Sequence, residues 1–219
     1  MKNNRINAWD RRRFLTGIGL GASAFLTPGA FAEALQLTPR QAEGPFFPDQ
    51  LPLDTDNDLL IINDGLTPAV GQVTHLSGTV KDLKGNPVRN ALVEIWQVDG
   101  NGVYLHSQAP KEKQDRNFQG YGRFSTDSQG RYYFRTVKPA VYPGRAPHIH
   151  VAVSQKGRRV LTSQCYIAGE KQNLKDILYQ RLDAPAQKLV TVNFEPLPNR
   201  KTQELQARWN LVIGLTAED

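Results

Sequence analysis

The chain has 219 residues and a formal net charge of +6, and 39% of its residues are hydrophobic. Residues 1–32 hold five of the 27 Lys and Arg and one of the 21 Asp and Glu, so the remainder has a net charge of only +2. That remainder has the length of one domain with a hydrophobic core, and it shows no basic stripe interleaved with aromatic residues, which argues against a nucleic acid partner.

Residues 1–32 have the pattern of a cleaved export signal. Three arginines within Asp10–Leu15 (DRRRFL) precede an uncharged stretch, Phe14–Leu26, which is too short to span a bilayer as a helix. Small residues at Ala30–Ala32 offer a peptidase site and place the mature N-terminus near Glu33. The paired arginines favour the twin-arginine export machinery over the ordinary secretory route or a basic N-terminal arm. We therefore expect an exported protein, periplasmic or extracellular, without a membrane anchor.

Two further segments follow this signal. Residues 33–72 are predicted to form an extended arm over the core, because they are rich in Pro, Asp and Gly and keep no helical or strand periodicity. Residues 73–219 are predicted to form one domain in which short apolar runs alternate with turn sequences such as Lys84–Pro87 (KGNP).

The pattern of this domain predicts an all-β fold, a β-sandwich core with an extended N-terminal arm and one or two short helices. One helix is predicted around Gln172–Arg181. The predicted strands are His75–Lys81, Ala91–Val98, Phe124–Thr126, Arg131–Val137, His148–Ser154, Val160–Ile167, Lys188–Phe194 and Ala207–Leu215.

A pair of histidines, His148 and His150, begins one of the apolar strands. Because alternate side chains of a strand share a face, both imidazoles point one way while Ile149, Val151 and Val153 point into the core. Two neutral imidazoles need further donors to hold a metal, and no carboxylate lies close to them in sequence. The pair alone is equally compatible with a structural role.

Two tyrosines lie in turn-rich loops that flank the strands. Tyr104 ends the segment Asp99–Tyr104 (DGNGVY), and Tyr142 lies in Lys138–Pro143 (KPAVYP), six residues before His148. One loop can therefore bring Tyr142 and His148 to a common centre. Taken singly, Tyr104 could also be a loop aromatic that covers the core, and Tyr142 a turn residue before proline.

Several ordered motifs resemble the intradiol ring-cleavage dioxygenases, most closely the branch that contains the iron-bearing subunit of the protocatechuate 3,4-dioxygenases. The resemblance runs from about Thr38 to Ile167 and rests on residues 43–46 (EGPF), 93–97 (VEIWQ), 102–104 (GVY), 117–123 (NFQGYGR), 130–139 (GRYYFRTVKP), 145–150 (RAPHIH) and 163–166 (SQCY). It implies an enzyme that uses O2 to open a catechol-type ring between its two hydroxylated carbons, giving a cis,cis-muconate-type diacid. Residues 73–219 would then be the catalytic domain.

The same resemblance implies a site that binds iron(III). Tyr104 and His150 correspond to equatorial ligands, and Tyr142 and His148 to axial ligands, with water or hydroxide as the fifth. A phenol has a reference pKa of about 10 and binds only when deprotonated, so tyrosine ligands suit iron(III) better than iron(II) or zinc. Two tyrosinates and one hydroxide also balance three positive charges, which makes the buried centre neutral.

Three residues have an implied part in the reaction itself. Catechol must lose two protons to chelate the metal, and hydroxide and the tyrosinate of Tyr142 are the available bases. Arg145 corresponds to the arginine that stabilises negative charge on the substrate, and Gln164 to a polar residue beside it. On their own, Arg145 could be a solvated charge and Gln164 a polar group on a strand face.

Plainer roles are expected for other residues. His75 and His106 are interpreted as structural or surface residues, and Cys165 as a small buried apolar group. Because Cys165 is the single cysteine, the chain cannot form an internal disulfide. A further set of aromatic residues is expected to form core or pocket wall: Trp96, Tyr121, Tyr132, Tyr133 and Phe134.

Two other functions stay open on the residues alone. One is a cupin-like enzyme in which the paired histidines and a distant Glu or Asp hold iron(II) or zinc. The other is an exported β-sandwich that binds a partner without catalysis. Within the resemblance, the segment between Tyr142 and His148 is shorter than usual, which leaves the substrate open. Because the chain keeps all four ligand positions, it favours a homo-oligomer or a monomer over a mixed assembly.

Overall fold

The computed structural model describes residues 35–52, 54–63, 65–198 and 202–214. The predicted export signal and Leu215, the last residue of the final predicted strand, lie outside the described residues. The strands are β1 (Val73–Asp82), β2 (Leu92–Trp96), β3 (Tyr121–Ser125), β4 (Arg131–Val137), β5 (His148–Gln155), β6 (Arg158–Ile167), β7 (Thr191–Val192), β8 (Phe194–Pro196), β9 (Leu205–Arg208) and β10 (Leu211–Ile213).

The strands form two sheets. One has the order β3-β2-β5-β6-β7, and the other has the order β10-β1-β9-β8 with β4 also paired to β1. In the first sheet β5 and β6 are antiparallel, with His148 opposite Tyr166 and His150 opposite Gln164. The all-β sandwich predicted from the sequence is confirmed, and Arg131–Val137 has the predicted bounds.

The core lies between sheets whose strands alternate buried and less buried residues. On β5, Ile149, Val151 and Val153 belong to the main hydrophobic cluster, which also contains Leu76 of β1 and Phe134 of β4. The predicted alternation along β5 is therefore confirmed. The histidine face of β5 contacts a second, smaller cluster, so both faces of this strand are buried.

The segment before β1 contacts both sheets, with Thr38 hydrogen-bonded to β10 and Gln41 to β6, and it contains several turns. Its described residues form neither helix nor strand, apart from one isolated bridge between Asp58 and Arg135. The backbone N–H of Gln41 donates to the carbonyl of Thr162 at 2.9 Å. Farther along, Phe46 packs against the second cluster, which covers the histidine face of the first sheet.

The helical region is more broken than predicted. A 3-10 helix, Lys171–Lys175, is followed by α1 (Ile177–Gln180) and α2 (Ala184–Val190). The single helix predicted over Gln172–Arg181 is wrong, because the side chain of Asp176 accepts backbone hydrogen bonds of the next turn and keeps its own backbone extended. None of the described helices is long and apolar enough to cross a membrane.

Two predicted strands also differ from the structure. Lys188–Val190 is the last turn of α2 rather than the start of a strand, because Asp183 caps this helix and a proline lies in its first turn. The strand predicted over Ala207–Leu215 is interrupted at Trp209 and Asn210. There the Asn210 side chain accepts hydrogen bonds from Thr79, which takes it out of the regular ladder.

Candidate metal centre

Three donor atoms converge where β5 meets the loop that follows β2. Nε2 of His148 and Nε2 of His150 lie 3.1 Å apart. The hydroxyl of Tyr104 lies 3.3 Å from the first of these nitrogens and 3.1 Å from the second. All three side chains are buried, with exposures of 1%, 2% and 5% for His148, His150 and Tyr104. Residues far apart in the chain thus meet at one point.

The two imidazoles are held neutral. Burial and the nearby Arg145 charge lower the pKa of His148 to about 4, and burial lowers the pKa of His150 well below its ordinary value. Nδ1 of His148 lies 2.6 Å from the carbonyl of Ala146, and a carbonyl only accepts, so the ring proton belongs on Nδ1. Nε2 of His148 therefore carries a free lone pair toward the centre.

The second predicted tyrosine lies beside these donors. The ring of Tyr142 is 5.5 Å from the ring of Tyr104 and 5.8 Å from the ring of His148, measured between centroids. Burial, the charge of Tyr142 and its hydrogen bond raise the pKa of Tyr104 well above the ordinary value for a phenol. Tyr104 thus stays protonated unless a strong Lewis acid binds it.

This donor set fits a metal ion. Two atoms bound to one metal at about 2.1 Å and about 90° apart lie about 3 Å from each other, which agrees with the distances at this centre. The described residues contain no group of three or more His, Cys, Asp or Glu that could hold a metal. A site here must therefore use the tyrosines, which counts against the cupin-like alternative.

A family comparison agrees with this centre. A model of the Dioxygenase family (Dioxygenase_C) matches residues 42–214, a range that contains every residue of the proposed site. The chain belongs to the intradiol ring-cleavage dioxygenases. The family resemblance seen in the ordered motifs is thereby confirmed.

Known members of the intradiol dioxygenases align with more than half of this chain. The protocatechuate 3,4-dioxygenase beta chain of Burkholderia cepacia is 37% identical over 59% of this chain and 58% of its own length. Catechol 1,2-dioxygenase of Acinetobacter baylyi is 33% identical over 74% of this chain and 58% of its own length. The chain thus spans about three fifths of the length of these curated relatives.

A solved structure has the same fold. The dioxygenase domain of a dioxygenase and carbohydrate-binding protein fusion from Streptomyces sp. SirexAA-E superposes with a TM-score of 0.63 and 28% identity. The match covers 83% of this chain and 100% of that domain. The β-sandwich described here is therefore the fold of an intradiol dioxygenase domain.

Arg145 lies next to the donor atoms and has several polar contacts. Its guanidinium donates to the Tyr142 hydroxyl at 3.3 Å, to Gln164 Oε1 at 2.5 Å and to the Tyr166 hydroxyl at 3.3 Å. Its Nε donates to Asp176 at 2.9 Å. The structure thus brings together the predicted pair of Arg145 and Gln164, with Tyr142 on the same guanidinium.

Aromatic side chains form the wall of the centre: Trp96 was predicted as core or pocket wall, and Phe46 was not. Phe46 of the arm stacks on Tyr104 with centroids 5.0 Å apart and an angle of 13°. Trp96 stacks on His150 at 4.7 Å and 9°. Both lie within the motifs of the family resemblance, but neither has a local pattern that distinguishes stacking on a ligand from ordinary core packing.

Two polar neighbours of Arg145 were also missed. Tyr166 is fully buried, and its hydroxyl lies 3.1 Å from Gln164 Oε1. Asp176 is 1% exposed and forms an ion pair with Arg145. An Asp directly before an apolar run such as Ile177 and Leu178 is a signal for a helix start. Its pairing with an arginine 31 residues earlier has no sequence signal.

The residues expected to have plainer roles are mostly as predicted. His75 lies between the Tyr133 hydroxyl at 2.6 Å and Glu204 at 2.9 Å, on the other sheet. His106 packs edge-on against Phe46. Cys165 is fully buried. Tyr133 is the exception among the expected core aromatics: it is 37% exposed, because its side chain points outward from β4.

A large surface cavity borders the centre. This cavity, of 540 Å³, is lined by Gln172, Lys175 and Asp176 and by residues 141–145, which belong to the loop between β4 and β5 (residues 138–147, the Tyr142 loop). It therefore reaches both Tyr142 and Arg145. A larger groove of 690 Å³ lies along α2, β8 and β9 and contains none of the predicted site residues. Of these two cavities, the smaller one borders the predicted site residues.

Proposed function

We propose that this chain is a non-haem iron(III) intradiol dioxygenase that cleaves a catechol-type diol with O2 between its two hydroxylated carbons. Tyr104, Tyr142, His148 and His150 would hold the metal. The observation that carries the proposal is the meeting of two neutral imidazole nitrogens and a buried phenol within 3.1–3.3 Å, beside a second tyrosine.

The charges of these side chains favour iron(III). The imidazoles contribute none, so two phenolates and one hydroxide would offset three positive charges and leave the buried centre neutral. Zinc or iron(II) with the same donors would give a net negative centre, which burial disfavours. Buried phenols also need a strong Lewis acid to lose their protons.

Each side chain of the centre would have a separate part in the reaction. Bound iron(III) would supply the Lewis acidity that activates the chelated diol toward O2. The phenolate of Tyr142 would accept one of the two catechol protons at its hydroxyl oxygen, while Tyr104 stays deprotonated. Arg145 would stabilise the negative charge that develops on the substrate, with its guanidinium oriented by Gln164. Stacked aromatic rings would exclude water from the histidine side.

The cavity beside Tyr142 supports a substituted catechol. Its wall carries Arg145, Lys175 and one carboxylate, Asp176; because Asp176 and Arg145 pair with each other, Lys175 gives the wall its net positive charge. Residues 143–147 form a shorter segment than is usual in the family resemblance, which should open or reshape this side of the pocket. We therefore propose an anionic substituent such as a carboxylate on the preferred diol, as in protocatechuate, over unsubstituted catechol.

Oxygen uptake tests the proposed function directly. Iron-loaded protein should be burgundy from tyrosinate-to-iron charge transfer and should consume O2 with at least one of catechol, protocatechuate, hydroxyquinol and bulkier diols. A protein with full metal occupancy but no visible colour, and without O2 uptake on any of these diols, would contradict the proposal. Tyr133→Phe is a control for loss of a tyrosine away from the centre: this exposed tyrosine lies on the other sheet, so the variant should keep both the colour and the O2 uptake.

The destination of the protein is a separate proposal. We propose export by the twin-arginine machinery, supported by the DRRRFL sequence at 10–15 and the small residues at 30–32. Replacing Arg11 and Arg12 by lysine should retain the precursor in the cytoplasm. N-terminal sequencing of the exported form should find a start near Glu33. Sedimentation of the mature chain alone tests the proposed homo-oligomer or monomer against a mixed assembly.

A further inference from the structure

Asp176 joins three parts of the molecule through one buried carboxylate. It lies between the 3-10 helix and α1, and its side chain is 0% exposed. Oδ1 accepts the backbone N–H groups of Leu178 at 2.9 Å and Tyr179 at 3.1 Å, which caps α1. Oδ2 accepts from Arg145 Nε and from the Ala146 backbone N–H, both at 2.9 Å.

Capping alone does not explain this arrangement. The neighbouring helix α2 is capped by Asp183, whose Oδ1 accepts the N–H of Ala186 at 2.8 Å while the side chain stays at the surface. A cap therefore needs one carboxylate oxygen and no burial. At Asp176 the second oxygen is directed entirely at the Tyr142 loop.

The contacts of Oδ2 determine how Arg145 is oriented. With Nε bound to Asp176, the two terminal nitrogens of the guanidinium are directed toward Tyr142 and Gln164. A guanidinium without the Asp176 contact could rotate away from the centre. The carboxylate thus selects the conformation in which Arg145 faces the substrate side.

The same oxygen also accepts a hydrogen bond from the backbone that precedes His148. Ala146 donates its N–H to Asp176, and its carbonyl accepts the Nδ1 proton of His148 at 2.6 Å. Burial by itself raises the pKa of Asp176. The backbone hydrogen bonds from Ala146 and Tyr179 and the charge of Arg145 outweigh burial and lower that pKa, so the carboxylate is ionised.

We infer that Asp176 is a positioning residue of the proposed dioxygenase: it ties α1 to the Tyr142 loop and orients Arg145 for the reaction. This inference rests on the proposed function. Asp176 does not act on the substrate itself. Its effect passes through Arg145, whose guanidinium must stabilise charge that develops only during the reaction.

Asp176→Asn separates positioning from capping. Asparagine caps helices about as well as aspartate, so Oδ1 keeps its contacts with α1. Its amide would direct N–H donors at Arg145 Nε and the Ala146 N–H, where an acceptor is required. Since displacement of an active group by about 1 Å costs about 100-fold in rate, we expect kcat to fall 10- to 100-fold while KM changes less than about 3-fold.

Asp183→Asn is the matched control, because it changes the other capping aspartate in the same way at an exposed site. It should leave kcat unchanged. Iron content and the visible charge-transfer band should remain at wild-type level in both variants. Asp176→Ser provides a second test: serine also caps helices but has no second oxygen, so it should give the same loss of kcat without opposing donors.

Epistasis with Arg145 decides the mechanism. In an Arg145→Ala background, Asp176→Asn should lower kcat by less than about 3-fold, since the residue through which it acts is gone. Equal losses in both backgrounds would overturn the inference, as would wild-type kcat in both Asp176 variants. If wild-type protein consumes no O2 with any diol, the proposed function fails instead. Loss of folding in Asp176→Ser and Asp176→Asn alike would assign Asp176 to stability alone and also overturn the inference.

Discussion

The two tyrosines of the centre lie in loops of very different construction. Tyr104 is 5% exposed and lies in a loop held by buried side chains. Tyr142 is partly exposed and lies in a loop where Val141 is 51% exposed and few contacts hold the backbone. One phenol is thus fixed by the fold, and the other is held mainly by the site itself.

Two buried aspartates hold the loop between β2 and β3 that contains Tyr104 (residues 97–120, the Tyr104 loop). Asp99 Oδ1 accepts the N–H groups of Asn101 and Val103 at 2.9 Å, and its Oδ2 accepts the N–H of Asp115 at 2.7 Å. Asp115 in turn accepts the N–H of Val70 at 2.7 Å, which ties the loop to the arm. The Tyr104 backbone therefore cannot move without breaking buried hydrogen bonds.

The Tyr142 loop is held mainly at its C-terminal end, where Asp176 accepts from Arg145 and from the Ala146 N–H. Its backbone closes through one hydrogen bond, from Arg145 N–H to the Tyr142 carbonyl at 3.2 Å, and Gly144 turns with a positive φ of 78°. The phenol hydroxyl contacts the Arg145 guanidinium at 3.3 Å. The difference suits the two proposed roles: a rigid loop would serve a permanent ligand, and a loop with fewer constraints would serve a ligand that takes up a proton and leaves.

Loss of the fixed phenol should have the largest effect. In Tyr104→Phe we expect iron affinity to fall by more than about 100-fold, because even the loss of outer contacts to a metal costs about 10- to 100-fold. Activity should fall with it. Metal analysis after dialysis and O2 uptake measure both effects. Full iron occupancy in this variant would show that Tyr104 is a wall residue, and Tyr133→Phe controls for loss of a phenol elsewhere.

Loss of the mobile phenol should be milder for iron and still severe for rate. Tyr142→Phe should keep most of the iron, since three donors in rigid elements remain, and its charge-transfer band should shift. The rate should fall by about 100-fold, the usual contribution of a positioned proton acceptor. Stopped-flow proton release on substrate binding should change in this variant. An unaltered spectrum would remove Tyr142 from the ligand set.

The rigid elements were also the ones that sequence patterns predicted well. On β5 the alternation of His148 and His150 with Ile149 and Val151 determines which residues face the main core and which face the centre, because a shift by one residue would exchange the two sets. Helix and strand limits near Lys188 were wrong because a capping aspartate and a proline outweighed the strand propensity of the residues that follow.

The assembly of the site was less accessible to sequence patterns. Tyr104 precedes His148 by 44 residues, and no local pattern tells which tyrosine reaches the histidines. The family resemblance supplied that choice. Asp176 carried a cap signal but no sign that it would meet Arg145, because a contact between two polar side chains leaves no periodicity along the chain.

Removing the main support of the rigid loop should lower stability strongly. Asp99→Ala would leave three backbone N–H groups without their acceptor, which we expect to cost about 3 kcal/mol. Thermal unfolding should then begin about 10 °C lower. Asp127 is a matched control, since its Oδ1 accepts the N–H groups of Gln129 and Arg131 in the same spacing while its side chain is 37% exposed. Asp127→Ala should have a smaller effect.

The smallest expected effect comes from a glycine in the mobile loop. Gly144 and Gly157 have φ of 78° and 76°, and a Cβ at either would meet nothing within 4 Å. Alanine at each position should cost about 1 kcal/mol through backbone strain alone. Because only Gly144 lies in the Tyr142 loop, Gly144→Ala should also slow proton release on substrate binding, by a few-fold, while Gly157→Ala should not. Equal kinetics in the two variants would mean that movement of the Tyr142 loop does not limit that step, and the contrast between a fixed and a mobile phenol would then rest on the side chain alone.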